Sequence, residues 1–262
     1  MNILEVKDLS VSFGASREVL TRAVRDVSFN IEKGKVFGIV GESGSGKTVT
    51  ALSILKLISL PGRIVAGSVF FGGLDLLTID ETVLRDIRGS RISIVFQEPA
   101  SSFNPVFTIG EQITETIITH QDVGSNKAKD LALEYLDRVH IHEAKRIFHD
   151  YPHQLSGGTK QRAMIAMALV NSPELVILDE PTTALDVTIQ AQILDLLKEV
   201  IEKEKLSVLF ISHDFGVVAK MCDYVAVMQG CSIVETGDTK EILNSPKNEH
   251  TVSLLESVKA LA

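Results

Sequence analysis

Three observations predict an α/β fold built on a parallel sheet, with an antiparallel β patch at the N-terminus and an inserted all-helical segment. Strand-like stretches crowd the first third of the chain and are separated only by turns. Later strands alternate with helical stretches, as βα units of a parallel sheet do. Between about residues 98 and 154 the periodicity is helical throughout and no convincing strand appears.

The elements follow in order. Residues 3–11 and 24–31 alternate apolar and polar side chains, as half-buried strands do. Residues 35–40 (KVFGIV) read as a short buried strand and 48–57 (TVTALSILKL) as a helix. Strands are expected at 65–71 and 92–96. The insertion then supplies helices at 109–119, 127–139 and 144–149, each with a polar face. An apolar helix follows at 163–170 and a strand at 175–178. Helix 187–204, strand 208–211, helix 215–221 and strand 224–228 complete the alternation. No internal repeat, low-complexity segment or long linker interrupts it, so the 262 residues are expected to form one domain. Its expected parts are a core of residues 1–97 and 159–245, a helical subdomain of about 98–158 and a tail of 246–262.

Composition narrows the function classes. With 45% hydrophobic and 23% charged residues the chain has ample material for a core. The net charge of −8 and the lack of any Lys/Arg block argue against nucleic acid. Two cysteines, Cys222 and Cys231, cannot make a disulfide framework and lack metal-site spacing, so reduced buried thiols in a cytosolic protein are expected. The longest uninterrupted apolar run, 163–170, is eight residues, against roughly 18 for a membrane span. The first residues, MNILEVKDLSVSF, lack the form of a signal peptide. Any service to a membrane is expected from a subunit docked at its cytosolic side.

Chemistry concentrates at the ends of the strands. Gly41-Glu-Ser43-Gly44-Ser45-Gly46-Lys47-Thr48 matches G-x-x-x-x-G-K-[ST] without a mismatch, between a strand and a helix. Its glycines permit a tight turn whose N–H groups point at phosphate oxygens, and the helix start adds unpaired donors. Lys47 would reach the β- and γ-phosphates and the Thr48 hydroxyl would ligate Mg²⁺. A chance match in a glycine-containing turn is made improbable by that strand–loop–helix context.

Leu175-Val-Ile-Leu-Asp179-Glu180 is an apolar strand ending in two acids. Asp179 fits the Mg²⁺ shell, and Glu180, one residue beyond, is placed to polarise an attacking water. Alone, the pair reads equally as an acidic helix cap. His213 ends another apolar strand (Val208-Leu-Phe-Ile-Ser-His213) and could bond a γ-phosphate, provided that its strand neighbours the one carrying Asp179. Gln97, following 92–96, could reach Mg²⁺ or the water. Leu155-Ser156-Gly157-Gly158-Thr-Lys-Gln-Arg162 opens the helix 163–170 with a second set of exposed donors. One ATP needs one phosphate loop, so a second anion-binding helix start suggests a cap for nucleotide held by a partner.

In this order the motifs GESGSGKT, Gln97, LSGGTKQR, LVILDE, Ala184-Leu-Asp186 and His213 resemble those of the ATP-binding cassette (ABC) ATPases, over nearly the whole chain. The resemblance implies a P-loop NTPase (RecA-like) core and a head-to-tail dimer. In that dimer the phosphate loop of one subunit and the LSGG of the other sandwich each ATP. Asp186 would lie at the dimer seam, and Phe13 would stack on adenine, where many members carry Tyr; a core-facing strand residue is the plain alternative.

Finer resemblance is to the oligopeptide/dipeptide/nickel importer branch. It rests on the run from Phe96 to Gln112, on Tyr151-Pro-His-Gln154 before the LSGG, and on the run from Ala184 to Gln192. The branch implies ATP and Mg²⁺, a second and usually unlike ATPase, and two membrane permeases gripped by the helical insertion and the Gln97 loop. An external binding protein and a place on the cytoplasmic face of the membrane are implied too. An alternative implied partner set is a soluble enzyme complex of the carbon–phosphorus lyase type. The chain departs from the branch at Val227-Met-Gln-Gly-Cys231, in a tail Pro246-Lys-Asn-Glu-His250-Thr251 that only partly fits, and in lacking a cysteine-rich end. The short end leans toward the nickel or metal-chelate kind or a shortened peptide type. His140, His142 and His149 are expected on solvated helix faces rather than as metal ligands.

Overall fold

The computed structural model describes residues 1–14, 21–183 and 185–261. In chain order the first elements are strands β1 (Asn2–Phe13), β2 (Thr21–Glu32) and β3 (Val36–Gly41), helix α1 (Lys47–Ile54), and strands β4 (Gly62–Phe71) and β5 (Leu74–Asp75). Helix α2 (Glu81–Ile87) leads to β6 (Ile92–Val95) and to helices α3 (Pro99–Ser102), α4 (Ile109–His120), α5 (Ser125–Arg138) and α6 (Ala144–Ile147). A 3₁₀ turn, Pro152–Gln154, precedes α7 (Gly157–Leu169), β7 (Leu175–Asp179) and α8 (Val187–Glu204). The chain continues through β8 (Ser207–Ser212), α9 (Phe215–Met221), β9 (Tyr224–Gln229), β10 (Ser232–Asp238), α10 (Thr239–Asn244) and α11 (Glu249–Leu261). Contacts divide it into two compact units, Met1–Leu84 with Ser207–Ala262, and Arg85–Leu206.

The first unit holds the antiparallel patch, in the order β2-β1-β4-β5. Of its paired strands, β1 buries Leu4, Val6, Leu9 and Val11, and β2 buries Val24, Val27 and Ile31. In the same unit β3 runs parallel to both β8 and β9. All six residues of β3 and of β8 are buried, as strands covered on both faces must be. Val40 packs with Phe215 and Val218 of α9, Val225 and Val227 of β9, Ile242 of α10 and Leu255 of α11. The last helix thereby closes the layer beneath the strand that leads into the phosphate loop.

In the second unit β6 pairs in parallel with β7, register Ile92↔Leu175 to Val95↔Leu178. The helical stretch uses one apolar stripe per helix: Ile109, Ile113 and Ile117 on α4, and Ala128, Ala132 and Leu136 on α5. The spacing of four keeps each set on one face. A side-chain node fastens the end of α7. Asn171 Nδ2 donates to the carbonyls of Gly89 (3.0 Å) and Thr116 (3.3 Å), while Gln121 Nε2 donates to Asn171 Oδ1 (2.8 Å).

Several expectations shift. Helix α7 starts at Gly157 with Ser156 as its cap, at the helix start expected there, so it takes in the residues before the apolar run 163–170. Helix α1 ends at Ile54, since Lys56 turns into the left-handed region (φ 53°). Strand β4 starts three residues earlier than expected, held by the pairing of Gly62 with Phe13. Strand β10 is an unexpected partner of β9, and the turn between them is Gly230-Cys231 (φ 54° and 70°). Positive φ at both central residues suits a two-residue hairpin. His140, His142 and His149 lie in turns beside the helices rather than on helix faces, and His140 Nε2 is 3.4 Å from Glu199. Cys222 and Cys231 form no disulfide and each residue is half-buried, but the Cys222 thiol packs against the cluster around Val40, so the buried-thiol expectation is corrected for Cys231 alone. Burial and, next, Asp223 push the Cys222 thiol well above its ordinary range. Among the described residues no helix is long and apolar enough to cross a membrane.

Candidate functional site

The candidate residues fall into two sets, one in each unit. The first set is the loop between β3 and α1. Gly44 and Gly46 hold positive φ (80° and 102°), backbone that L side chains rarely adopt. Gly46 also lies so close to β2 that a Cβ there would be 2.3 Å from the carbonyl oxygen of Ala23. Gly46 is the N-cap of α1 and brings no side chain to the first-turn amides. That leaves the helix start open to an anion. The Ser45 N–H donates to the carbonyl of Glu42 (3.2 Å), closing the turn.

Lys47 is 4% exposed, and its Nζ donates to the carbonyls of Gly41 and Glu42, both at 2.9 Å. The cation is thus folded into the loop it would share with a polyphosphate. Ser45 is buried and its hydroxyl has no hydrogen-bond partner. A buried hydroxyl left unpaired is costly, so an orphaned donor inside this loop fits a phosphate oxygen. Ser43 is exposed on the loop and Thr48 half-buried in the first turn of α1.

Two more residues of this set come from neighbouring strands. Phe13, the last residue of β1, is half-buried with its ring laid against Gly62. His213 is exposed and follows β8, whose pairing within the unit is with β3 (Val40↔Ser212). Asp214 then caps α9 by accepting from the Gly216 N–H at 2.7 Å, and Ser212 Oγ accepts from the Asp214 N–H at 2.9 Å. These bonds fix the backbone on both sides of His213.

In the second unit β7 ends in Asp179, 2% exposed. Glu180 is the next residue, half-buried and in the left-handed region (φ 46°). Its Oε2 accepts from Gln97 Nε2 at 3.3 Å and from Thr183 Oγ1 at 2.9 Å. The structure therefore brings Gln97 and Glu180 together, on two adjacent strand ends. Thr183 went unnoticed in the sequence. Its signal was a hydroxyl three residues after the carboxylate across a Pro-containing turn, closed by the Thr183 N–H to Glu180 carbonyl bond (3.1 Å).

Beyond Gln97 the chain is clasped by Gln112. Its Oε1 accepts from the Asn104 N–H (2.9 Å), and its Nε2 donates to the Asn104 and Phe107 carbonyls (both 3.0 Å). This clasp leaves Val106 68% and Phe107 46% exposed.

The second helix start lies in the same unit. Ser156 Oγ accepts from the Thr159 N–H (3.2 Å), capping α7. Gly157 and Gly158 face Leu185 and Ile189, across from the start of α8. Further along α7, Arg162 donates to the Val139 carbonyl at 3.0 Å, and burial pulls its guanidinium below the usual arginine range. Asp186 caps α8, accepting from the Ile189 N–H at 3.0 Å. Ala184, which opens the expected Ala184-Leu-Asp186 motif, lies outside the described residues.

Comparison with known proteins agrees with this arrangement. The family model described as ABC transporter matches residues 24–183. The chain is 47% identical over 261 residues to the oligopeptide transport ATP-binding protein OppD of Bacillus subtilis, covering 99% of this chain and 72% of that protein. It is 46% identical over 262 residues to the dipeptide transport ATP-binding protein DppD of Haemophilus influenzae, covering 100% and 79%. Among solved structures it is similar to the dimeric post-hydrolysis state of the ATP-binding cassette MJ0796 bound to ADP and Pi. There the TM-score is 0.80 at 27% identity, over 90% of this chain and 98% of that one. With a phosphate loop, a strand-end acid pair and a second capped glycine helix in family order, the chain belongs to the ABC transporter family and is an ATP-binding cassette ATPase.

Proposed function

We propose that the chain powers a membrane importer of short peptides, working at the cytoplasmic face beside a second, unlike ATPase subunit and two permeases. The observation that carries the reading is likeness at 46–47% identity, across nearly the whole chain, to proteins named for oligopeptide and dipeptide transport. Those names favour peptides over nickel or metal chelates as cargo. An external binding protein would deliver the peptide to the permeases. The exposed Val106 and Phe107, held out by the Gln112 clasp, support a permease-gripping role for the segment after Gln97. In this reading residues 1–97 and 159–245 are the core, about 98–158 the helical subdomain and 246–262 the tail.

Residue roles follow from chemistry. The amides of Gly41, Ser43, Gly44, Ser45, Gly46 and Lys47 would hold the phosphates, with the Lys47 ammonium leaving its own carbonyls for the β- and γ-oxygens. Phe13 would stack on the adenine. Thr48, Gln97 and Asp179 would hold Mg²⁺, which when bound neutralises charge on the phosphate oxygens. Glu180 orients the attacking water and takes its proton as the water oxygen bonds the γ-phosphorus and the bridging oxygen departs with ADP. His213 would hold the γ-phosphate and keep Glu180 and the water in register. Ser156, Gly157 and Gly158 would close on the nucleotide bound by the partner, with Asp186 at the seam, in a head-to-tail dimer. Closing that dimer would swing the permeases, and hydrolysis would reopen them.

The test is Glu180→Gln. It should bind ATP, accumulate as a closed dimer by size-exclusion chromatography and lose turnover. Undiminished hydrolysis would contradict Glu180 as the base.

A further inference from the structure

One oxygen of the candidate general base accepts from two side chains, Gln97 with a proposed role and Thr183 without one. Glu180 Oε2 accepts from Gln97 Nε2 at 3.3 Å and from Thr183 Oγ1 at 2.9 Å. The second is the shorter, within the ordinary O–H···O range of about 2.5–3.0 Å. The two donors differ in how they are held. Gln97 is exposed and follows the end of β6. Thr183 is half-buried in the turn that Glu180 itself opens, closed by the 3.1 Å bond from the Thr183 N–H to the Glu180 carbonyl. Pro181, buried inside that turn, fixes one backbone angle. Glu180 at φ 46° is backbone that a non-glycine residue adopts at a cost, so the turn has to hold it there.

We infer that Thr183 is a positioning residue for the hydrolytic reaction, aiming the Glu180 carboxylate through its hydroxyl. The inference rests on the reading of Glu180 as the base. Gln97 has a second task in that reading, since its carbonyl oxygen also serves Mg²⁺. Thr183 has no such second task and moves with the same turn as its acceptor. Its bond is therefore set by the turn itself. A hydroxyl is the feature that matters: serine supplies the same donor, and valine has the shape without it.

The test uses the full chain purified with the subunits that accompany it, as Thr183→Val, Thr183→Ser and Thr183→Ala, alongside Glu180→Gln. Losing one hydrogen bond to a charged acceptor predicts a fall in kcat of about tenfold for the valine and alanine variants. The KM for ATP and the equilibrium affinity for ATP should stay within about twofold, because the bond touches no part of the nucleotide. The serine variant should recover kcat to within about threefold of the parent. Melting curves that match the parent for any one hydrophobic variant make that variant the informative one. Valine and alanine variants with the parent's kcat would overturn the inference, and so would a serine variant as slow as valine. Turnover by Glu180→Gln would instead remove the base on which the inference rests, and it registers independently of position 183.

Discussion

Two glycines of the phosphate loop separate backbone strain from collision. Gly44 (φ 80°) and Gly46 (φ 102°) both sit where an L side chain is disfavoured, so alanine at either costs about 1–2 kcal/mol of conformational strain. They differ in surroundings. A Cβ on Gly44 meets nothing within 4 Å, whereas one on Gly46 falls 2.3 Å from the Ala23 carbonyl oxygen. A carbon and a carbonyl oxygen rest at about 3.3 Å or more, so roughly 1 Å must be found. Ala23 belongs to β2, between residues paired with Ser12 and Val11 of β1, so the strand gives way only by dragging the sheet. Overpacking of that kind adds about 2 kcal/mol. Gly46→Ala should therefore melt about 4–8 °C below Gly44→Ala. If the loop moves instead, its amides lose their aim, and ATP affinity by titration calorimetry should fall at least about tenfold. Equal melting temperatures for the two variants, with parental ATP affinity in Gly46→Ala, would refute the argument.

Other consequences are as specific. Lys47→Ala should abolish ATP-dependent stabilisation in a melting assay, because the variant retains no cation between the Gly41 and Glu42 carbonyls to hand to a phosphate. Ser156→Ala removes the cap from α7 and should cost about 1 kcal/mol in denaturant unfolding; an unchanged midpoint would contradict the cap. Leu255→Ala takes a buried side chain from the cluster around Val40 and should cost about 2–5 kcal/mol, read as a lower denaturation midpoint. Bonds from Thr108, first its backbone N–H and then its hydroxyl, hold the Glu111 carboxyl below its usual 4.5. A lowered native pKa stabilises above the unfolded value and is lost as pH falls through the native one. The parent should thus exceed Glu111→Gln in stability at pH 7, and the gap should close on acidification below about pH 4.5.

What was legible in the sequence was what depends on neighbours in the chain. Helices α8 and α9 occupy the expected residues because each begins at a capping aspartate, Asp186 and Asp214, and carries a regular apolar face. The phosphate loop was readable because its geometry demands glycine and lysine at fixed spacing. Strand β10 was missed because it is a partly exposed partner in a tight hairpin, and its residues Ser232-Ile-Val-Glu-Thr-Gly-Asp238 alternate poorly. The start of α7 was legible in the Ser156 cap, which prevails although the two glycines after it lower helix propensity. The meeting of Gln97, Glu180 and Thr183 depends on the parallel pairing of β6 and β7, which strings of letters 83 positions apart do not disclose.

The central claim is that ATP hydrolysis by this chain drives peptide import. Its most direct test is uptake of labelled short peptides by vesicles holding the chain with its co-purified permeases, partner ATPase and binding protein. Peptide should accumulate only with ATP, and accumulation should disappear with Glu180→Gln. Co-purification with soluble enzyme subunits and no permease, or ATP hydrolysis that moves no peptide, would contradict it.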